Sequence, residues 1–208
     1  MADLRLRAIV GAILIALALI ADWFGGWLFA IAVATGAGLI FAEWRAMTRG
    51  WGAGWFVGGV AYALVPAVAL LWTRLLPEGA SLVLWAFVVT WATDIFAYLV
   101  GRAFGGPKLA PTMSPNKTWS GLAGGVAGAT LLGGLLAVYL DLPTEFLLAA
   151  PFFAVAAQIG DLLESGLKRR AGVKDAGKML PGHGGVMDRL DGLVPVAVMT
   201  AMLATVAT

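Results

Sequence analysis

An all-α, polytopic bundle of membrane helices is the fold class this sequence predicts, and three observations carry that reading. Of 208 residues, 61% are hydrophobic and only 12% charged, with a mean hydropathy of +0.89. A soluble fold of this length could not cover so much apolar surface. Long uncharged runs recur along the chain at lengths that suit a bilayer. Lysine and arginine then fall almost entirely on one side of the topology those runs define.

The runs are 8–21, 23–42, 50–73, 79–93, 118–140, 146–160 and 192–208, which predicts about seven transmembrane helices. The first is the shortest and follows the basic start MADLRLR, as a signal peptide also would. An uncleaved first span is the favoured reading, because no small-x-small site precedes a polar mature start. The fourth run extends past Asp94 to about residue 101. Twenty-eight glycines suit helices that approach closely in lipid.

With the N-terminus in the cytoplasm, the cytoplasmic segments hold thirteen of the fourteen basic residues, and only Arg74 lies outside. The external connections carry Asp22, Glu78, Asp141 and Glu145 instead. The chain divides into N-terminal helices, 1–78, and a second transmembrane domain, 79–208, which contains both long polar connections, 101–117 and 165–191. Both connections fall on the cytoplasmic face. No internal repeat of the kind a transporter would show is visible. The absence of cysteine excludes disulfides and thiolate chemistry, and a single histidine excludes a multi-histidine metal site within one chain. Basic residues set between hydrophobic spans do not form a nucleic-acid face, so no nucleic-acid partner is expected.

The segment 165–191 holds nine of the 26 charged residues. Asp188 and Asp191 stand three apart, close enough on a helix to share a side. They read either as an acidic first helical turn or as hard oxygen ligands for Mg²⁺, which takes one or two carboxylates plus substrate phosphates. Asp161 ends an apolar run with Gln158 and Ser165 on its face; it is an ordinary helix end, a metal ligand or a proton acceptor. Lys168, Arg169, Arg170, Lys174 and Lys178 are topology anchors or, with the interleaved glycines, a phosphate cradle. His183 precedes two of those glycines and is either a structural group, a proton donor or a phosphate contact. The other polar segment offers Arg102, Lys108, Ser114, Asn116, Lys117 and Thr118, and Asp94 lies about two turns inside the span before it. Acids that hold a metal beside cations that hold phosphates is what phosphoryl or nucleotidyl transfer requires, and a site at the membrane surface suggests a lipid substrate.

The segment also resembles the signature of the phosphatidate cytidylyltransferase (CDP-diacylglycerol synthase) family. Ser165, Leu167, Lys168, Arg169, Lys174, Asp175, Gly177, Leu180, Pro181, His183, Gly184, Gly185, Val186, Asp188, Arg189, Leu190 and Asp191 fill that pattern without a gap. Asp94, Ala97-Tyr98, Gly101-Arg102, Phe104-Gly105 and Ser114-Pro115-x-Lys117-Thr118 are similar to its upstream polar block, with Asn116 where a lysine is common. The resemblance covers roughly residues 85–208.

The resemblance implies the reaction CTP + phosphatidate → CDP-diacylglycerol + pyrophosphate. It implies a Mg²⁺ cofactor, with or without a second, monovalent cation, a homodimer, and a cytoplasmic site on the inner (plasma) membrane. The implied metal ligands are Asp161, Asp188 and Asp94, with Asp191 in support. Lys168, Arg169, Lys174 and Arg189 would hold CTP phosphates, with Ser165 and Asp175 also at the substrate. Arg102, Ser114, Lys117 and Thr118 would contact lipid or nucleotide phosphate, and His183 would orient a phosphate or the loop. A CTP-dependent lipid kinase or a CDP-archaeol synthase-like enzyme is the alternative.

Overall fold

The structure, a computed structural model, describes residues 2–180 and 184–207. Its elements run α1 (Ala2–Phe24), α2 (Gly26–Met47), α3 (Ala53–Leu75), α4 (Gly79–Phe104), β1 (Lys108–Ala110), β2 (Ser114–Thr118), α5 (Trp119–Tyr139), α6 (Thr144–Arg170), α7 (Met187–Leu190) and α8 (Leu193–Ala207). The expected helical bundle is present. Among the described residues five helices, α2 to α6, are long and apolar enough to cross a membrane, and two shorter apolar stretches, Ile9–Phe24 and Leu193–Ala207, accompany them.

The departures lie in the polar segments. The expected loop 101–117 begins as the last turn of α4 and continues as an antiparallel hairpin, pairing Lys108 with Thr118 and Ala110 with Ser114. The expected loop 165–191 begins as the last turns of α6. Glu164 lies one turn ahead of Lys168, and three cations follow at the helix C-terminus, where the dipole favours them. Gly172, with φ of +71°, then ends the helix. Its amide reaches Arg169 O at 3.1 Å and that of Val173 reaches Lys168 O at 2.9 Å, the paired bonds of a Schellman cap.

Close approach of α4 and α5 organises the core. Gly121, Gly124, Gly125 and Gly128 face α4, and a Cβ on Gly121 or Gly125 would stand 2.9 Å from the carbonyl oxygens of Ala97 and Thr93 respectively. Only hydrogen fits there. Trp85 is fully buried, with its ring edge-on to Phe146 and Phe153 and its Nε1–H donating to Gly133 O at 2.9 Å. The buried hydroxyls of Thr73, Thr90, Thr93 and Thr200 each donate to the carbonyl four residues earlier, which satisfies them inside an apolar phase. At the opposite end from the other cations, Arg74 lies 3.2 Å from buried Asp22 and also donates to its backbone carbonyl. That partner accounts for the one exception to the charge bias.

Candidate active site

A polar stripe on α6 is the base of the site. Residues 158, 161, 164, 165 and 168 fall on one face of a 3.6-residue helix, and Gln158, Glu164, Ser165 and Lys168 are all buried. The Ser165 hydroxyl donates to Asp161 Oδ1 at 3.3 Å. From the end of β2, Lys117 reaches across to Asp161 Oδ2 at 2.6 Å. Lys168 Nζ lies 2.6 Å from Asp188 Oδ1 and 3.2 Å from Glu164 Oε1.

Asp188 gathers the glycine-rich loop. Its Oδ2 accepts the amides of Ala176 at 2.9 Å and Gly185 at 2.7 Å. The loop closes through the amide of Leu180, which donates to Gly184 O at 2.9 Å, with Gly184 at φ of +82°. A Cβ on Gly184 would stand 2.7 Å from Asp188 Oδ2. Partial burial alone would raise the Asp188 carboxyl, but the Lys168 ammonium and the two amides outweigh it and hold the group below its ordinary value. Asp191 behaves oppositely: burial pushes it up to about 6, and the Asp161 carboxylate adds to the shift. Glu164 is a further neighbour of Asp191. Asp94, on α4, faces the same group, with Asp191, Asp161, Lys117 and Arg189 as its charged neighbours.

The sequence-expected residues thus divide. Asp94, Lys117, Asp161, Ser165, Lys168, Asp188, Arg189 and Asp191 come together. Thr118 instead caps α5, accepting the Gly121 amide at 3.1 Å. Arg102 donates to Tyr98 Oη at 2.6 Å on an exposed face. Arg169 donates to Met113 O at 3.1 Å and ties α6 to the hairpin turn. Lys174 and Asp175 are exposed beside the end of α2, in a surface pocket that Ala46, Met47 and Gly177 also line. Ser114 is half-buried on β2. His183 lies outside the described residues.

Two acids were given no role from sequence, although Glu164-Ser165 is similar to the lead-in of the family signature. Glu164 is the partner of Lys168 and neighbour of Asp191; its spacing from Asp161 and Lys168 was the available signal. Glu43, on α2, is 5% exposed. Its carboxylate accepts the amides of Val186 at 3.0 Å and Met187 at 2.8 Å, immediately before Asp188. Gly177 and Gly185 pack against that carboxylate, leaving no room for a Cβ at either position. An acid at the end of an apolar span carries a signal, but Glu43 reads from sequence as the polar boundary of its helix.

Hard carboxylate oxygens next to ammonium groups suit a divalent cation that completes its shell with phosphate oxygens. Among the described residues no three acidic or histidine side chains converge as a ready-made metal cage would require. Asp188 has three of its acceptor sites committed within the chain, whereas Asp161 is held by one ammonium and one hydroxyl. Such a set fits one or two carboxylate ligands with substrate supplying the rest.

The sequence pattern of the cytidylyltransferase family matches residues 46–207, a span that contains this whole arrangement except Glu43. The chain belongs to that family. It is 46% identical over 164 residues to the phosphatidate cytidylyltransferase of Brucella abortus biovar 1 (strain 9-941), covering 77% of this chain and 59% of the relative. It is 42% identical over 135 residues to that of Staphylococcus epidermidis (strain ATCC 35984), covering 64% and 51%. It is 47% identical over 116 residues to that of Bacillus subtilis (strain 168), covering 54% and 43%. The chain therefore spans about half the length of these curated relatives. The family match also begins earlier than residue 85, taking in α3, whose span looked merely hydrophobic in sequence.

Proposed function

We propose that this chain is a phosphatidate cytidylyltransferase, transferring a cytidylyl group from CTP to phosphatidate at the cytoplasmic face of the inner membrane, as a homodimer. The observation that carries the proposal is the pairing of Lys117 with Asp161 and Lys168 with Asp188, at 2.6 Å each, on one end of a membrane bundle. Family membership and the relatives' names support it. Thirteen of fourteen basic residues on one side support the orientation.

In the reaction a phosphate oxygen of phosphatidate attacks the α-phosphorus of CTP. The bond from that phosphorus to the bridging oxygen breaks, and pyrophosphate leaves. Lys168, Lys117 and Arg189 would bind phosphate oxygens and offset charge that grows on the leaving group. Buried Glu164, 3.2 Å from Lys168 Nζ, would help to hold that ammonium at the site. Through its bonds to the amides of Ala176 and Gly185, Asp188 sets the shape of the loop that follows α6. Asp161, Asp188 and Asp94 would hold Mg²⁺, which supplies Lewis-acid neutralisation of phosphate charge.

The test is an assay of the purified protein in detergent with Mg²⁺, labelled CTP and phosphatidate. CDP-diacylglycerol and pyrophosphate are the expected products, lost in Asp161→Asn. Phosphate transfer to a lipid alcohol, with no CDP-diacylglycerol, would replace this reading by a lipid kinase.

A further inference from the structure

A groove with almost wholly apolar walls runs between α2, α3, α4 and α8. Phe29, Gly36 and Ile40 on α2, Ala67 on α3, Phe87 on α4 and Leu190 in α7 bound it. From Phe29 to Ile40 helix α2 rises about 16 Å, close to the roughly 15 Å depth of one leaflet's hydrocarbon. Small residues open this space, and a Cβ on Gly36 would already stand 3.7 Å from Leu190 Cδ1. Leu190 itself lies between Asp188 and Asp191. The part of the groove that Leu190 lines therefore adjoins the candidate active site.

A second observation marks the inner mouth. Tyr62 precedes Ala63, another groove-lining residue, and packs at a 31° tilt against Trp44, 5.1 Å between ring centres. Its hydroxyl is buried without a hydrogen-bond partner among the described residues. Glu164, Asp191 and Asp161 are its charged neighbours. A buried hydroxyl without a partner costs free energy, and a ligand oxygen at the mouth would satisfy it. Bulk lipid needs only apolar walls. A phenol donor near the acids that pair with Lys117 and Lys168 fits a lipid whose phosphate head group those cations hold.

We propose that the groove holds one acyl chain of the lipid substrate, with the Tyr62 hydroxyl donating to an ester or phosphate oxygen of its glycerol phosphate head. The proposal rests on the phosphatidate reading above, and it adds the place and the residues by which the lipid is gripped.

The full chain in nanodiscs is irradiated with phosphatidate that carries a diazirine midway along one acyl chain. Label is expected on residues 29–40 and 63–70, competed by excess unlabelled phosphatidate and not by phosphatidylcholine. Label spread over the outward helix faces, or equal competition by both lipids, overturns the proposal. In kinetics, Gly36→Leu should raise KM for dioleoyl phosphatidate roughly tenfold more than KM for the dihexanoyl lipid. Tyr62→Phe should raise KM for both lipids and move KM for CTP less. Equal changes for long and short chains in Gly36→Leu count against the groove. If Gly36→Leu does not fold, the photolabelling of the unaltered chain decides. Competed labelling of the groove with no CDP-diacylglycerol formed would overturn the reaction but keep the lipid site; turnover with scattered label would do the reverse.

Discussion

Glu43 shows how much a single residue outside the signature contributes. It accepts two backbone amides that lead directly into Asp188, so the loop's position depends on a helix more than 140 residues away in sequence. Glu43→Ala leaves both amides without an acceptor in a buried place. The expected result is a ten- to hundredfold fall in kcat, roughly what loss of an orienting partner costs, with Glu43→Gln intermediate because it keeps one acceptor oxygen. Wild-type initial rates in the alanine variant, measured across a CTP titration, would refute this role. Asp188→Asn should be more damaging, at about a hundredfold or more, because it loosens Lys168 and the loop together. Purified variants compared at saturating Mg²⁺ check this. Asp188 was readable from sequence as a candidate ligand, whereas Glu43 read only as the polar boundary of its helix. Their partners were not readable, because a hydrogen bond between α2 and residue 186 leaves no periodic trace.

Among the elements, the α4–α5 contact is the tightest, and glycine makes it possible. Gly125→Leu would drive a side chain into the Thr93 carbonyl; the expected loss is about 1–3 kcal/mol, visible as a lower thermal midpoint in detergent. Gly38→Ala is the matched control, since nothing lies within 4 Å of its Cβ position. It should be neutral or stabilising by up to about 1 kcal/mol. A large loss there would show that glycine content alone, rather than contact, governs stability. The helices were legible from their uncharged runs, but their ends were not. Helix α6 continues past its last apolar residue through Arg170, because the Glu164–Lys168 pair and the terminal cations favour helix as well as solubility. The hairpin was missed because SPNKT has neither alternation nor β-branched residues over most of its length, and its pairing with 108–110 is decided by the helix ends it joins.

For the whole molecule, topology is the property to test, and a chain without cysteine lends itself to it. Single cysteines at Lys174 and at Glu145, both exposed, should react with an impermeant maleimide from opposite sides of sealed vesicles. Labelling of both from one side would overturn the odd number of crossings between the two positions. The N-terminal helices belong to the same scaffold: α2 holds the loop through Glu43, α3 supplies Tyr62, and both wall the apolar groove.

Composition and charge order by themselves determined that this chain is a membrane bundle and which end carries its cations, and they pointed to two polar segments beside the candidate site. Those properties are additive along the chain, as transfer free energies and topology preferences are. Only the tertiary structure decided which acid meets which cation: Lys117 takes Asp161, Lys168 takes Asp188, and Glu43, outside the signature, joins Asp188 in fixing the loop. Such pairings depend on distances between helices far apart in sequence. Glycines permit those distances, but packing sets them.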